Sequence, residues 1–255
     1  MADLKGKTAL VTGGSRGIGR GIAERLARDG ALVAVHHGGN AAAAGETVAA
    51  IAAAGGRAFA LGQRLGVDGD AAALLRQLDE ELQERTGSTR LDIVVNNAGI
   101  APQAGLAATT PELYDELFAV NVRAPFFIAQ GAAERMGEGG RIVSITSGVT
   151  RQAWPDLLAY AMTKAALETF TGTLAKELAP RGITVNAVAP GLVDTDMNAD
   201  WLRVSDAARA EAAAASAFNR VGEPADVADV VAFAVSSDAR WVTGQVLDAT
   251  GGSLL

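Results

Sequence analysis

One stretch near the amino terminus constrains the fold more than any other. Lys7 to Thr12 (Lys-Thr-Ala-Leu-Val-Thr) is a short run that reads as a buried strand, and Gly13-Gly14-Ser15-Arg16-Gly17-Ile18-Gly19 follows it directly. Arg20 to Asp29 then shows helical periodicity, with Ile22, Ala23, Leu26 and Ala27 on one side and Gly30 where a helix ends. Strand, glycine loop and helix N-terminus in that order make a phosphate site. Bare N–H groups and the helix dipole face the anion, and missing Cβ atoms let a pyrophosphate approach closely. The spacing Gly13-x-x-x-Gly17-x-Gly19 departs from the common Gly-x-Gly-x-x-Gly pattern, but strand before and helix after is the context that confirms such a loop.

The rest of the chain alternates in the same way. Strands are expected at 7–12, 31–36, 57–61, 91–95, 140–146, 183–189 and 245–248, and helices at 17–29, 41–54, 69–85, 111–135, 157–179 and 224–235. That alternation predicts an α/β fold with a parallel sheet covered by helices on both faces. With 255 residues and no linker or repeat, residues 1–255 read as a single domain. Aromatic residues are only 5% of the chain, so alanine, valine and leucine must fill the interior. Residues 192–218 break the alternation and are expected to form a lid over a substrate.

A second motif carries chemistry. Tyr160 and Lys164 are four apart, one turn of a helix, so their side chains share a face. A free tyrosine titrates near 10 and is a poor acid or base at neutrality. A lysine cation beside it is expected to lower that value and allow proton exchange with a substrate oxygen. Ser147 stands thirteen residues earlier, after the apolar run Arg141 to Thr146, where its hydroxyl can hold the same oxygen. Ser144 competes for that role, and the spacing favours Ser147.

With both motifs in place, the chain resembles the short-chain dehydrogenase/reductase family from end to end. Thr12 to Gly19 is similar to the family's cofactor loop, Asn96-Asn97-Ala98-Gly99 to its second signature, and Pro190-Gly191-Leu192-Val193-Asp194-Thr195 to the segment holding the nicotinamide end. Asn121, Ser147, Tyr160 and Lys164 match its catalytic tetrad. Within the family the likeness is to enzymes named 3-oxoacyl-carrier-protein reductases. The resemblance implies a Rossmann-type doubly wound sheet of seven strands in the order 3-2-1-4-5-6-7, with the cofactor at the carboxyl ends. It implies hydride transfer between a nicotinamide and a carbonyl carbon, with Tyr160 as proton donor, Ser147 bonding the carbonyl oxygen and Lys164 binding the nicotinamide ribose. Asn121 would hold a water through its backbone. A homotetramer, or a homodimer, is also implied, packing helices 111–135 and 157–179 and using the tail that ends in Leu254 and Leu255.

The cofactor-binding set expected is Gly13, Ser15, Arg16, Gly17, Ile18, Gly19, His37, Arg64, Leu65, Asn97, Ala98, Gly99, Tyr160, Lys164, Pro190, Gly191, Val193 and Thr195. The second strand ends Val33-Ala34-Val35-His36-His37-Gly38-Gly39-Asn40 without the carboxylate that would bond a ribose 2′-hydroxyl and repel a 2′-phosphate. Arg16 supplies a guanidinium suited to that phosphate, and His37 and Asn40 are further donors, so NADP(H) is favoured over NAD(H). Arg64 falls where the family usually carries an aspartate or asparagine against adenine.

The substrate pocket is expected from Val149, Gln152, Trp154, Leu157, Met197 and Trp201, which are bulky and largely apolar, so a hydrophobic ketone or oxoacyl group fits. Arg123 and Arg151 are the candidates for docking a carrier protein. A net charge of −7 argues against nucleic acid or an anionic membrane as partner. With no cysteine, and with His36 and His37 adjacent at a strand end, no metal site is expected. The start, Met1 to Lys5, has no signal-peptide pattern, and no apolar run approaches a membrane span, so a soluble cytoplasmic protein is expected. Two other readings remain: an NAD-dependent alcohol or sugar dehydrogenase working oxidatively, and a non-catalytic cofactor sensor or scaffold.

Overall fold

The computed structural model describes residues 3–253. Within them lie strands β1 (Thr8–Val11), β2 (Leu32–His37), β3 (Arg57–Gly62), β4 (Ile93–Asn96), β5 (Arg141–Ile145), β6 (Thr184–Pro190) and β7 (Val246–Ala249). Helices α1 (Gly17–Arg28), α2 (Ala41–Ala53) and α3 (Asp70–Thr86) join the first four strands. Helices α4 (Pro111–Phe118), α5 (Ala124–Arg135) and α6 (Leu158–Leu178) flank β5. Short helices α7 (Ala199–Leu202) and α8 (Asp206–Ala214) follow β6, and α9 (Pro224–Val235) precedes β7. All neighbouring strands pair in parallel, in the order β3-β2-β1-β4-β5-β6-β7, as expected.

Because side chains alternate across a strand, a sheet buried on both faces needs an unbroken apolar run. Leu10 and Val11 show why. Leu10 joins a core with Leu74, Leu78 and Ile128, whereas Val11 joins the opposite core with Ile22, Leu26 and Val231. Each such Leu or Ile side chain contributes about 1.5–3 kcal/mol on burial. The two cores clamp the sheet and leave its carboxyl edge free for a site.

The helix expected over 111–135 is not continuous. A π turn at Ala119–Arg123 divides it. Pro125 has no N–H to give the Asn121 carbonyl, as an α-helix would require, and the backbone widens so that Ala124 N–H reaches the Ala119 carbonyl. Asn121 lies inside that turn, fully buried.

The segment after β6 is a helical excursion pinned at its base. Val193 bridges Gly222 in parallel, with Asp194 N–H on the Gly222 carbonyl and Gly222 N–H on the Leu192 carbonyl, both at 2.9 Å. Leu202, Ala212 and Val221 give the excursion a small core of its own. The expected contribution of Leu254 and Leu255 to an interface lies outside the described residues.

Candidate active site

The glycine loop is held by its neighbours at every turn. The Thr12 hydroxyl at the end of β1 accepts the N–H groups of Asn97 and Ala98, each at 3.0 Å. Asn97 Nδ2 donates back to the carbonyls of Thr12 and Gly13 at 2.8 and 3.1 Å. Thr47 of α2 donates its hydroxyl to the Ser15 carbonyl at 3.1 Å. Gly13 and Gly17 have φ values of 63° and 54°, where a Cβ is strained. A Cβ on Gly19 would stand 2.1 Å from the Gly13 carbonyl oxygen, so the loop closes only with glycine there. Arg16 precedes α1 and offers no side-chain cap, leaving the first-turn N–H groups facing outward.

Other expected residues meet this loop. Thr195 packs its methyl against Gly17, and Gly191 lies against the Thr250 backbone at the end of β6. Ile18 is half-buried against the core, and Pro190 and Val193 are buried. Arg16 is exposed, with Nη1 3.9 Å from Asp196. His37 lays its ring over Gly62. Leu65 is buried and Arg64 exposed at the far edge of β3. Asn40 caps α2, its side-chain Oδ1 accepting Ala43 N–H at 3.0 Å. A cradle closed to Cβ atoms, an uncapped helix start and no carboxylate at the end of β2 fit a dinucleotide bearing a 2′-phosphate.

The catalytic candidates converge beside the cradle. Ser147 sits just past β5 and accepts Val149 N–H on its hydroxyl at 3.2 Å. Tyr160 and Lys164 lie in the first turns of α6, with Nζ 5.6 Å from the phenol ring centroid. Lys164 Nζ donates to the Ile145 carbonyl at 2.8 Å, which ties it to the end of β5. Burial pushes the Tyr160 phenol up to about 12, the Ser147 hydroxyl pulling the other way. Burial also lowers Lys164 to about 8. The expectation of a net lowering of the Tyr160 phenol is therefore corrected. The protein framework keeps the phenol protonated, because desolvation outweighs the Ser147 hydrogen bond. A tyrosine that retains its proton is set up to donate it.

Asn121 spends its side chain on structure. Its Oδ1 accepts Ile100 N–H at 2.9 Å, and Nδ2 donates to the Ile100 carbonyl at 2.9 Å and to Thr163 Oγ1 at 3.1 Å. Thr163 was not singled out from the sequence. It is fully buried, and its hydroxyl also donates to the Tyr160 carbonyl at 2.7 Å, joining the π turn to the helix that carries the tyrosine. Its position inside Tyr160-Ala161-Met162-Thr163-Lys164 was the available signal. Ser144 is fully buried in β5 opposite Asn96, away from this group.

On the substrate side, Val149 is buried and Leu157 half-buried, while Trp154 is 50% exposed and Met197 is exposed. Gln152 connects two walls: Nε2 donates to the Ser253 carbonyl at 2.7 Å and Oε1 accepts Trp154 Nε1 at 3.2 Å. Trp201 is half-buried and packs against the excursion's own core. Phe218 of the same excursion is 74% exposed and lies beside Gly251. Arg123 pairs with Asp68 at 3.1 Å and Arg151 with Asp248 at 3.0 Å.

Comparison with known proteins agrees with this geometry. The family model described as enoyl-(acyl carrier protein) reductase matches residues 13–253. The promiscuous reductase LugOII, which catalyses keto-reduction at C1 during lugdunomycin biosynthesis, is 52% identical, with a TM-score of 0.96 and 100% of both chains covered. The angucycline C-6 ketoreductase LanV, solved with bound NADP, is 49% identical, with a TM-score of 0.95 over 99% of this chain and 97% of that one. Tetrahydroxynaphthalene reductase of Pyricularia oryzae is 38% identical over 266 residues, covering 100% of this chain and 92% of the other. The chain belongs to the short-chain dehydrogenase/reductase family of nicotinamide-dependent oxidoreductases.

Proposed function

We propose that this enzyme uses NADPH to reduce a ketone on a flat, fused-ring aromatic substrate to a secondary alcohol. The observation that carries the reading is a proton-bearing Tyr160 hydrogen-bonded to Ser147, and the exposed apolar side chains Trp154 and Phe218 would form the wall for the rings. Reductase relatives with naphthalene-type and angucycline substrates support it.

The glycine loop, Asn97, Ala98, Gly99 and the Pro190–Thr195 segment would hold the dinucleotide, with Arg16 on its 2′-phosphate and Lys164 on its nicotinamide ribose. When bound, that group supplies the hydride. Ser147 gives a hydrogen bond to the carbonyl oxygen of the substrate and fixes its position. Tyr160 releases its Oη proton to that oxygen as negative charge develops there. The phenolate left behind is stabilised by the Lys164 ammonium. Asn121 and Thr163 keep the Tyr160 turn in register with the cradle, and the Asn121 carbonyl would hold the water that returns a proton. The 192–218 excursion closes over the ring system and excludes bulk water.

Arg123 and Arg151 each already face a carboxylate, which favours a free aromatic substrate over a carrier-bound acyl chain. The exposed Phe126 and Phe127 on α5, edge to face with each other and with Phe126 tilted against Phe170 of α6, support association of copies through these helices as a homotetramer. No helix of the described residues is long and apolar enough to cross a membrane, in keeping with a cytoplasmic enzyme.

The test is NADPH oxidation with fused-ring aryl ketones against acetoacetyl thioesters. A higher kcat/KM for the fused-ring ketones is expected. A clear preference for the thioesters would contradict the substrate class.

A further inference from the structure

His36 ends the buried part of β2, and the roles assigned so far leave it out. Its side chain is 1% exposed. Gly13 N–H donates to Nδ1 at 3.1 Å, and Nε2 lies 2.7 Å from the Gln63 carbonyl. The backbone carbonyl of His36 accepts Gly14 N–H at 2.8 Å. An amide N–H can only donate and a carbonyl can only accept. The ring is thus fixed in one neutral tautomer, bare at Nδ1 and protonated at Nε2.

These bonds join two walls that come from different parts of the chain. Gly13 and Gly14 open the loop expected to hold the pyrophosphate. Gln63 begins the Gln63-Arg64-Leu65 segment expected against the adenosine. We infer that His36 is a positioning residue for NADPH, setting the distance between the pyrophosphate turn and the adenosine wall through one imidazole. The inference rests on the NADPH reading above and concerns affinity for the dinucleotide, since His36 touches no reacting atom.

The electrostatics agree with the geometry. Burial holds His36 down to about 4, helped by neighbouring His37 and opposed by the Gln63 carbonyl and by Asp70 of α3. The Asp70 carboxylate is itself engaged by the N–H groups of Gly66 and Ala71. A proton added at Nδ1 would face the Gly13 N–H and open the clamp. The ring therefore stays neutral, and the clamp shut, across the neutral range.

Two substitutions separate the bonds. His36→Asn keeps an acceptor near the Nδ1 position but cannot reach Gln63. His36→Phe keeps the volume and loses both bonds. Direct titration of NADPH by fluorescence should show Kd raised about 10- to 100-fold in His36→Phe, the range for a buried donor left unpaired. His36→Asn restores the Gly13 bond without the tie to Gln63 and should recover only part of that loss. In turnover the loss should fall on the KM for NADPH and not on kcat. A 15N-resolved imidazole spectrum of the wild type should show the Nε2–H tautomer. Between pH 6.5 and about 4 the unfolded chain binds a proton that the folded ring refuses, so the wild type should lose stability that His36→Asn keeps. An unchanged Kd in His36→Phe, a wild-type Kd in His36→Asn, or an Nδ1–H tautomer would overturn the inference. Should His36→Phe fail to fold, His36→Gln replaces it; it reaches toward Gln63 but loses the Nδ1 acceptor, and the same rise in Kd is expected. The binding measurements need no ketone. A failed ketone screen with the Kd pattern intact would strike only the substrate reading.

Discussion

The two ends of the catalytic cleft are built by different means. The cofactor end is made of backbone: Asn97, Thr47 and His36 bond to main-chain groups of the glycine loop, the Thr12 hydroxyl accepts the Asn97 and Ala98 N–H groups, and Gly13, Gly17 and Gly19 occupy places where a Cβ is strained or has no room. The substrate end is made of side chains. Trp154, Met197 and Phe218 stand exposed, and the excursion that carries the last two is tied down by surface ion pairs such as Arg203 and Arg209 on Asp194. Exposed pairs of this kind contribute about 0–1 kcal/mol each. The difference teaches where the enzyme tolerates change. The backbone cradle is specified atom by atom and binds one ligand class, whereas the side-chain wall can be rebuilt without disturbing the fold.

Gly19→Ala should have the largest effect on that contrast. Its Cβ would overlap the Gly13 carbonyl, so NADPH binding should be lost and the fold weakened by about 1–3 kcal/mol or more. Gly45→Ala in α2 is the matched control. Nothing lies within 4 Å of its Cβ, and helix propensity should raise stability by about 0.5–1 kcal/mol. Thermal melts with and without NADPH check both, and a Gly19→Ala protein that binds NADPH normally would break the comparison. Arg16→Ala comes next. Removing one guanidinium from a phosphate should lower the NADPH over NADH preference by about 10- to 100-fold, at a cost of about 1.5–3 kcal/mol. Steady-state kcat/KM with each cofactor measures it. Trp154→Ala should be mildest, raising the KM for an aryl ketone several-fold, about 1 kcal/mol, with the Kd for NADPH unchanged. A loss of cofactor affinity in that variant would show the two ends to be coupled.

The same contrast explains what the sequence made legible. Strand positions and the cradle could be read because a buried parallel strand demands a continuous apolar run and a phosphate loop demands glycine, whereas the sheet order was implied only by the family resemblance. Tyr160, Lys164 and Ser147 could be named from their spacing on one helix and after one strand, and Asn121, inside the π turn, from the resemblance alone. The π turn was hidden in a run that looks helical throughout, although Pro125 marked the missing donor. His36 and His37 look alike in sequence, and only the strand's alternation sends one inward to the glycine loop and the other over Gly62. The direction of the Tyr160 shift was missed because spacing predicts a neighbouring charge but not the depth of burial. How far Trp201 turns inward and Phe218 outward could not be read from the sequence, because it depends on packing between α7, α8 and Val221.

The central claim is that Tyr160 hands its proton to a ketone beside a bound dinucleotide. Rapid mixing of NADPH-loaded Tyr160→Phe and wild type with one fused-ring ketone, followed across pH, tests it most directly. The account predicts that the variant binds NADPH as the wild type does but reduces the ketone about 10²- to 10⁴-fold more slowly. It also predicts a wild-type rate that is level through neutrality and falls as pH rises through about 8, where Lys164 loses its charge. A variant that reduces the ketone at close to the wild-type rate would contradict it.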